Sequence, residues 1–387
     1  MPKEHSMQSI PYLRKKIGSS NLLWFENSNS YVQLEEPAWY VFNQFLKRCK
    51  PKTIAKAFEN RYGTTHNESL TFVTEILTQI GKLNQRDTIE NNINNFSDRL
   101  NEYHFNPYTI HHYLLGTKQI TFAFESRLFE YYIHPLISHL EIVTESETSA
   151  LLELFQYQGK IVFRLNGEVR GVWSADETHL VKGLIFMAMI NLMHTKTDAD
   201  WLMTVHASAI TNKRKTILFS APPGSGKTTM AALLQSRGFE LISDDFVPID
   251  RQSFSAYPFP IAMSVKQGSM ELLIAHFPAL EHKQLNHISS EKSVRYLAAE
   301  MDPEYSGSAY PVHEMVFIEY NDSVDFVFEK LAITDGIKLL LDQAWVVPNP
   351  GNSGILLDWI TSISFFKLTY SNNEKGINAI TELFSHE

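Results

Sequence analysis

Short apolar runs that alternate with helical patterns mark the part of the chain after residue 200. Residues 216–219 form an apolar run of strand length, and residues 227–237 carry apolar side chains at helical spacing before Gly238. Glycine is favoured just beyond a helix end, so a helix that closes at Gly238 is predicted. Further strands are predicted at residues 239–243, 313–320 and 365–370. This order predicts an α/β fold.

The segment between the first apolar run and the helix matches a phosphate-binding loop. Its letters fit G-x-x-x-x-G-K-[ST], except that Ala221 stands in place of the first glycine. In such loops backbone N–H groups at the positive end of the helix dipole bind phosphate, Lys227 reaches the β- and γ-phosphates, and the Thr228 hydroxyl holds magnesium. The predicted nucleotide-binding residues are Ala221, Pro222, Pro223, Gly224, Ser225, Gly226, Lys227, Thr228 and Thr229. The alternative is a chance match in a polar turn, against which the flanking strand and helix argue.

Two acids and a histidine are spaced so that they can reach the same loop. One helix and one strand separate Lys227 from Asp244 and Asp245. The segment between His206 and the loop is long enough for about two strands. A magnesium-bound triphosphate needs hard oxygen ligands, and a hydroxyl acceptor needs a carboxylate to take its proton. The alternatives are a turn or helix cap for the two acids and a buried structural position for His206.

These motifs resemble a known family. His206, the loop and the segment Leu-Ile-Ser-Asp244-Asp245 are similar to the C-terminal catalytic domain of HPr kinase/phosphorylase, the bacterial serine kinase, and to HPr-kinase-like proteins of peptide-modification clusters. The resemblance covers residues 201–265 well and the rest of the C-terminal part loosely. It implies ATP and Mg²⁺ as cofactors and Asp244, Lys227 and His206 as catalytic residues. Asp244 is then the catalytic carboxylate, Asp245 and Thr228 lie at the metal, and His206 lies on the phosphate side or supports the residues that contact the substrate. Ala221 and the pair Pro222-Pro223 depart from the family pattern and make a stiffer loop, and the signature that contacts the protein substrate is not found.

The first 84 residues have the pattern of a small separate module. Two apolar runs flank Asn27-Ser-Asn-Ser30, which predicts a hairpin over residues 21–34, and helical patterns follow at residues 35–46, 53–62 and 67–83. This order is similar to the PqqD-like module, a winged-helix fold that captures leader peptides in ribosomal peptide modification. The similarity implies that a peptide or protein substrate binds residues 20–84 along the edge of the hairpin. A winged-helix domain with a purely structural role is the alternative.

The middle of the chain is less regular. Residues 85–106 are polar and rich in asparagine, which predicts a linker, and residues 107–200 are expected to form a mixed α/β subdomain that leads into a catalytic domain at 201–387. The subdomain predictions are a strand at 120–125, a hairpin of 154–163 with 168–173 around Asn166-Gly167, and a long helix at 176–193. His134, His139, His179 and His194 show no paired ligand spacing, so no metal site is expected among them.

Three features after Asp245 are weaker candidates. Lys266 follows two prolines and is a candidate phosphate contact, although an exposed lysine is the common alternative. Arg295 is a candidate for stabilising transition-state charge. Residues 349–354, Asn-Pro-Gly-Asn-Ser-Gly, predict a flexible loop able to act as a lid.

Composition narrows the class of protein. The net charge of −9 over 387 residues offers no basic field for nucleic acid, and the single cysteine, Cys49, excludes an internal disulfide and a cysteine-rich zinc site. Residues 1–16 lack a secretory apolar segment, and the apolar run at 184–193 is too short to span a bilayer. A cytoplasmic protein without a membrane partner is expected, and homo-oligomerisation stays open.

The prediction is an ATP-dependent kinase that transfers the γ-phosphoryl group to a Ser/Thr hydroxyl of a peptide or protein, in the context of ribosomal peptide modification, or to a small-molecule hydroxyl. The alternative is a P-loop ATPase switch that hydrolyses ATP and uses the N-terminal module to bind a partner. A GTPase is disfavoured because Thr195-Lys-Thr-Asp198, which fits [NT]-K-x-D, precedes the loop. A degenerate nucleotide-binding protein is disfavoured because Lys227, Thr228 and Asp244 are intact.

Overall fold

The computed structural model describes residues 10–85, 97–143, 148–288, 292–298, 308–347 and 350–385. The strands are β1 (Tyr12–Ile17), β2 (Ser20–Phe25), β3 (Ser30–Leu34), β4 (Thr109–Leu115), β5 (Lys118–Phe124), β6 (Ala150–Tyr157), β7 (Lys160–Leu165), β8 (Glu168–Trp173), β9 (Trp201–Val205), β10 (Ser208–Thr211), β11 (Thr216–Ser220), β12 (Glu240–Ser243), β13 (Val247–Asp250), β14 (Ser255–Ala256), β15 (Met263–Lys266), β16 (Asn286–His287), β17 (Ser293–Leu297), β18 (Tyr310–Tyr320), β19 (Phe326–Lys330), β20 (Ala344–Val346) and β21 (Ser364–Tyr370). The helices are α1 (Glu36–Leu46), α2 (Pro51–Tyr62), α3 (His66–Leu83), α4 (Ser97–Asn101), α5 (Arg127–Ile137), α6 (Thr178–His194), α7 (Lys227–Gln235), α8 (Gln267–His276), α9 (Ile333–Leu341), α10 (Pro350–Trp359) and α11 (Asn373–Ser385). Together these elements make a mixed α/β protein.

The chain forms two compact units, and each unit combines separate stretches of sequence. The first unit contains the described residues up to 85 together with Leu331–Asp342 and Val346–Ile363. The second unit contains the described residues from 97 to 330, the short stretch Gln343–Trp345, and residues 364–385. The expected boundaries differ from this division, because residues 331–342 and 346–363 had been assigned to the catalytic domain and residues 107–200 to a separate subdomain.

The first unit is built on a three-stranded antiparallel sheet with the order β1-β2-β3. The apolar side chains of β2 and of α1–α3 form its core, which includes Leu23, Phe25, Phe42 and Ile80. Helix α3 begins at a capping box, in which Thr65 and Glu68 satisfy each other's backbone N–H groups. The predicted hairpin and the three predicted helices are confirmed, while the winged-helix assignment stays an expectation.

Strand β1 and helices α9 and α10 of the first unit were not foreseen. Strand β1 pairs along its whole length with β2, so one edge of the predicted hairpin is already occupied. Helix α10 packs on the sheet, with the Lys15 ammonium 2.6 Å from an Asp358 carboxylate oxygen and the Tyr31 hydroxyl donating to the Ser353 hydroxyl at 3.0 Å. The lid predicted at residues 349–354 is wrong for its described part, because residues 350–354 begin α10 and Ser353 is fully buried.

A five-stranded sheet with the order β4-β5-β6-β7-β8 lies in the second unit. Helices α5 and α6 share a core with it, and α6 is apolar on most of its surface, as expected for a buried helix. The turn between β7 and β8 has positive φ at both Asn166 and Gly167, which confirms the predicted hairpin. The single strand predicted at 154–163 is wrong, because a second turn with positive φ at Gln158 and Gly159 divides it into β6 and β7.

A buried ion pair fixes the described end of the predicted linker. The Arg164 guanidinium donates to both carboxylate oxygens of Glu153 at 2.6 Å, and its Nη1 donates to the backbone carbonyls of Leu100, Asn101 and Tyr103. Residues 97–103 are therefore packed structure rather than linker, whereas residues 86–96 lie outside the described part of the chain.

A larger sheet of ten described strands carries the predicted phosphate-binding loop. Its main path is β12-β10-β11-β18-β14-β13-β9-β20, with β21 paired to β18 and β19 paired to β21. Strand β10 is antiparallel to both β11 and β12. The ends of β11 and β12 and the start of β10 therefore meet at one edge of the sheet, which is where His206, the loop and the two acids were expected to converge.

Among the described residues, no helix combines the length and the apolar character needed to cross a lipid bilayer.

Candidate active site

The loop after β11 is shaped by two glycines. Gly224 and Gly226 have φ angles of 97° and 92°, which favour glycine, and Gly226 is the N-cap of α7. A Cβ atom on Gly226 would lie 3.2 Å from the Tyr320 Cβ and 3.3 Å from the Tyr370 hydroxyl, so any side chain there would be crowded as well as strained by the positive φ. Ala221 is not among the described residues with positive φ, which explains why alanine is tolerated at the first position of the motif. The loop thus delivers backbone N–H groups to the start of α7.

The loop borders a cavity of about 490 Å³. Of the predicted nucleotide-binding residues, all except Ser225 line this cavity, and the Ser225 carbonyl instead accepts a hydrogen bond from the Tyr320 N–H at 3.0 Å. The other lining residues are His206, Asp245, Ser264, Lys266, Gly268, Ser269, Leu272, Lys292, Tyr320, Tyr370 and Asn373. Because Gly268 and Ser269 belong to the first turn of α8, two helix N-termini border the same cavity and favour an anionic ligand.

Asp244 lies below the loop and not on the cavity. It is 1% exposed, and its carboxylate accepts hydrogen bonds from the Ser208 hydroxyl and, at 3.0 Å, from the Thr228 hydroxyl. Burial raises the pKa of Asp244 from its ordinary value of 3.8 to about 6, and the negative charge of Asp245 acts in the same direction. Asp244 is therefore hydrogen-bonded to the Thr228 hydroxyl, the group that was predicted to hold magnesium.

Asp245 faces the cavity. Its side chain is 45% exposed, and one carboxylate oxygen lies 2.6 Å from the Lys227 ammonium. Its φ of 69° is in the left-handed region, which a non-glycine residue adopts at an energetic cost and which is frequent at functional sites. Partial burial acts to raise the pKa of Asp245, but the charge and hydrogen bond of Lys227 outweigh it, so the pKa lies below its ordinary value.

His206 contacts both Asp245 and Lys227. Its Nδ1 lies 3.2 Å from the Asp245 carbonyl oxygen, which accepts a hydrogen bond from that nitrogen, and its Nε2 lies 3.4 Å from the Lys227 ammonium. Burial, and then the positive charge of Lys227, lower the pKa of His206, so the ring is neutral near neutral pH. A neutral ring with its proton on Nδ1 can accept a hydrogen bond from Lys227, and His206 therefore positions both the turn at Asp245 and the lysine.

Lysines surround the cavity. Lys266 was a candidate from the sequence, and its ammonium lies 3.8 Å from the position that a Cβ on Gly224 would occupy. Burial lowers the pKa of Lys266, and neighbouring Lys292 adds to that effect. Lys182 on α6 also interacts with Asp245. Burial lowers the pKa of Lys182, and the negative charge of Asp245 acts to raise it. Within a protein of net charge −9, this cluster makes the cavity a local site for anions.

The sequence analysis missed several residues of the cavity. Lys292, Tyr320 and Tyr370 had no signal in their local patterns. Lys182, which is outside the cavity lining but interacts with Asp245, carried one signal, a cation within a largely apolar helix. Arg295, the other cationic candidate, is on β17 and is not among the residues that line the cavity.

A magnesium ion fits the residues at the base of the loop. The Thr228 hydroxyl and the Asp244 carboxylate are hard oxygen ligands, and the hydrogen bond between them shows that they reach one another. Asp245, the predicted metal residue, is held by Lys227 on the cavity side.

Comparisons with known proteins add little. No family model matches the chain, and no curated protein sequence matches it. Among solved structures, the chain is similar to the Hpr(Ser) kinase/phosphatase from Coxiella burnetii, with 12% sequence identity over 47% of this chain and 87% of that chain and a TM-score of 0.21. Since a TM-score at this level supports no argument about function, the function has to be argued from the site itself.

Proposed function

We propose that this protein is an ATP-dependent kinase that phosphorylates a Ser/Thr hydroxyl of a peptide or protein. One observation carries the proposal. A phosphate-binding loop with its lysine and threonine shares a cavity with an accessible carboxylate, Asp245, which lies 2.6 Å from Lys227. Phosphoryl transfer to a hydroxyl needs these groups, because a kinase must hold the triphosphate and provide an acceptor for the hydroxyl proton.

The two acids have roles opposite to those implied by the family resemblance. Asp245 borders the cavity and is the base, while Asp244 is buried against Thr228 and supports the magnesium ion. Magnesium, when bound with the triphosphate, neutralises the charge that develops on the β- and γ-phosphate oxygens. Lys227 and the loop N–H groups hold the same phosphates, and Lys266 is the next cation along the cavity wall.

The ion pair of Lys227 with Asp245 suggests how the base becomes available. Triphosphate oxygens compete with Asp245 for the Lys227 ammonium, so nucleotide binding releases the carboxylate toward the acceptor. The acceptor hydroxyl then gives its proton to Asp245, and its oxygen forms a bond to the γ-phosphorus. The bond from that phosphorus to the β-phosphate oxygen breaks, and ADP leaves.

The assay is transfer of label from γ-labelled ATP with magnesium. The purified full chain would be incubated alone, with synthetic Ser/Thr peptides and with a cell extract, and label would be counted on protein, on peptide and in free phosphate. We expect Asp245→Asn to lower transfer about 10²- to 10⁴-fold while ATP binding changes little, because asparagine tolerates the left-handed backbone but cannot accept the proton. Glu271→Gln, an exposed change on α8 away from the cavity lining, is the control.

Three results would change the assignment. Label found only in free phosphate under every condition would support the ATPase switch instead. Unaltered transfer by Asp245→Asn, with loss of transfer but normal ATP binding in Asp244→Asn, would restore Asp244 as the base. Normal ATP binding by Lys227→Ala would remove the phosphate-binding role of the loop.

A further inference from the structure

A second cluster of polar side chains lies in the second unit, on the five-stranded sheet. His111 and Tyr113 are two residues apart on β4 and so share one face of the strand, while Glu130 and His134 are four residues apart on α5 and share one face of that helix. Glu141 follows the short 3₁₀ turn Ser138–Leu140 and pairs as an isolated antiparallel bridge with Tyr113. Three separate elements thus bring these side chains together.

The contacts within the cluster are close. His111 Nδ1 lies 2.6 Å from a Glu141 carboxylate oxygen, and His111 Nε2 lies 2.9 Å from a Glu130 carboxylate oxygen. The His111 and His134 rings stack with centroids 4.2 Å apart, and His134 Nδ1 lies 2.8 Å from the hydroxyl of fully buried Tyr113. Among the described residues, the ligand atoms of His111, His134 and Glu141 all lie within 4.8 Å of one another.

We propose that His111, His134 and Glu141 bind a divalent transition-metal ion, for which Zn²⁺ is the best match. Two imidazoles and one carboxylate are a donor set that Zn²⁺ accepts with three protein ligands. The Tyr113 contact at Nδ1 leaves Nε2 of His134 as its ligand atom. The contact of His111 Nε2 with Glu130 likewise leaves Nδ1, which already faces Glu141, as its ligand atom.

Hydrogen bonds that would orient the two histidine ligands are already present. A metal-bound imidazole commonly donates its second N–H to a carboxylate or another oxygen, which fixes the orientation of the ring. Glu130 would accept from His111 in this way and Tyr113 would accept from His134. The two carboxylates, next to the two imidazoles, also supply negative charge that favours a dication.

A movement of the Glu141 side chain would make room for an ion between it and His111. Metal–ligand distances near 2.0–2.2 Å in a tetrahedral site separate two ligand atoms by about 3.4 Å, compared with 2.6 Å between His111 Nδ1 and Glu141. The side chain of Glu141 is 41% exposed and has room for this movement. The ion takes the place of the proton that the histidine and the carboxylate share.

Two residues of the cluster border an opening. Glu130 and His134 also line a cavity of about 340 Å³, which is bordered by Arg127, Tyr131 and Tyr296. A water molecule or an anionic ligand from this cavity can complete the coordination of the metal. The sequence alone did not suggest the site, because the ligands have no common spacing and only Glu130 with His134 is a helical pair.

The test is Zn²⁺ binding by the full chain without nucleotide. Chelator-treated protein would be titrated with Zn²⁺ by calorimetry, its metal content measured after dialysis, and Co²⁺ used as a probe for tetrahedral d–d absorption. We expect one equivalent in the wild type, and a loss of affinity of about 100-fold or more in His134→Asn and in Glu141→Gln. Glu130→Gln is expected to keep the stoichiometry and to lose about 10- to 100-fold in affinity.

His139→Asn is the matched control, because His139 lines the same cavity but donates to the Pro260 carbonyl and is outside the cluster. Circular dichroism would verify that each variant is folded. Equal Zn²⁺ content in the wild type and in a His134→Asn/Glu141→Gln double variant would overturn the proposal. Loss of the same equivalent in His139→Asn would overturn it as well.

Discussion

At the scale of single residues, Asp244 and Asp245 show how adjacent identical side chains acquire different properties. Asp244 is buried beneath Thr228, while the left-handed backbone of Asp245 turns the next carboxylate toward the cavity and Lys227. Burial raises the pKa of the first carboxyl, and the lysine lowers the pKa of the second. Two titratable groups whose pKa values are driven apart can serve different tasks in one reaction.

This difference predicts a pH-dependent effect of Asp244→Asn on stability. Because the pKa of Asp244 is raised to about 6 in the folded protein, its ionised form opposes folding, and this cost appears as the pH rises from 3.8 through the folded pKa. Asparagine keeps the shape of the side chain without the charge. In the absence of nucleotide and metal we expect the variant to melt at least about 2 °C higher than the wild type near pH 8.

The measurement is thermal unfolding of both proteins across the pH range, with the difference in melting temperature as the readout. The difference should shrink toward about pH 4–5, where Asp244 is protonated in the folded wild type. Asp245→Asn is the comparison, since Lys227 stabilises the ionised form of that residue and its removal should not raise the melting temperature. A constant difference for Asp244→Asn at every pH would contradict the raised pKa.

The sequence predicted the convergence at this site but not which of the two acids faces the cavity. Spacing and strand order were sufficient to bring His206, Lys227 and the two acids to one edge of the sheet. Which acid faces the cavity depends on the φ of Asp245 after β12 ends, and aspartate is compatible with either backbone region. Residue spacing contains no information on that choice.

At the scale of elements, most predicted helices and strands are present, and the errors have local causes. Strand β1 (Tyr-Leu-Arg-Lys-Lys-Ile) was missed because its three consecutive cations interrupt the alternation of apolar and polar residues that marks a strand. The turn at Gln158-Gly159 was missed because apolar residues on both sides looked like one continuous strand. Helix α10 was taken for a loop because Pro350, Gly351 and Gly354 fall within its first two turns.

The ion pair that joins β6 and β7 is expected to be important for stability. Arg164 is 5% exposed and Glu153 8% exposed, so Arg164→Ala leaves a buried carboxylate and three carbonyls without their donor. Breaking a buried pair from one side costs about 3–5 kcal/mol. We expect a loss of this order in the free energy of unfolding, measured by urea denaturation of the full chain.

Arg170→Ala is the matched control on the neighbouring strand. The Arg170–Glu168 pair is exposed, with its nearest N and O atoms 3.2 Å apart, and its removal should change the free energy of unfolding by no more than about 0.5 kcal/mol. Equal effects of the two substitutions would show that Arg164 does not hold the end of the predicted linker in place.

At the scale of the whole molecule, the first unit is assembled from distant parts of the sequence. Helix α10 contacts β1 and β3 through the Lys15–Asp358 and Tyr31–Ser353 pairs, and the Asn29 side-chain amide donates to the Val346 carbonyl at 3.3 Å. A pattern read along the chain finds contiguous modules, so it placed the end of this unit near residue 84. Nothing in the local sequence of residues 331–342 and 346–363 indicated that they belong to this unit.

We expect a fragment of residues 1–85 to be incompletely folded by itself. It lacks α9 and α10, which contact its sheet, and a domain of this size buries little surface to offset the entropy of folding. Its thermal transition should be broad and its amide NMR signals poorly dispersed. Addition of a peptide of residues 346–363 should sharpen both, whereas a scrambled peptide of the same composition should not.

The result that would contradict this expectation is a cooperative melt and a dispersed spectrum from the fragment without the peptide. Residues 1–85 would then be an independent module, as the sequence pattern suggested. The leader-peptide role expected for residues 20–84 could in that case be tested on the fragment directly.

The same arrangement has a consequence for the protein during its synthesis. Strands β1–β3 leave the ribosome well before α10, which begins about 316 residues after the end of β3. At about 5–20 residues per second the nascent sheet waits roughly 16–63 s for the helix that packs on it. During that interval the surface that α10 later covers is open to ribosome-associated chaperones, so the order of translation leaves this sheet incomplete long after its own strands have emerged.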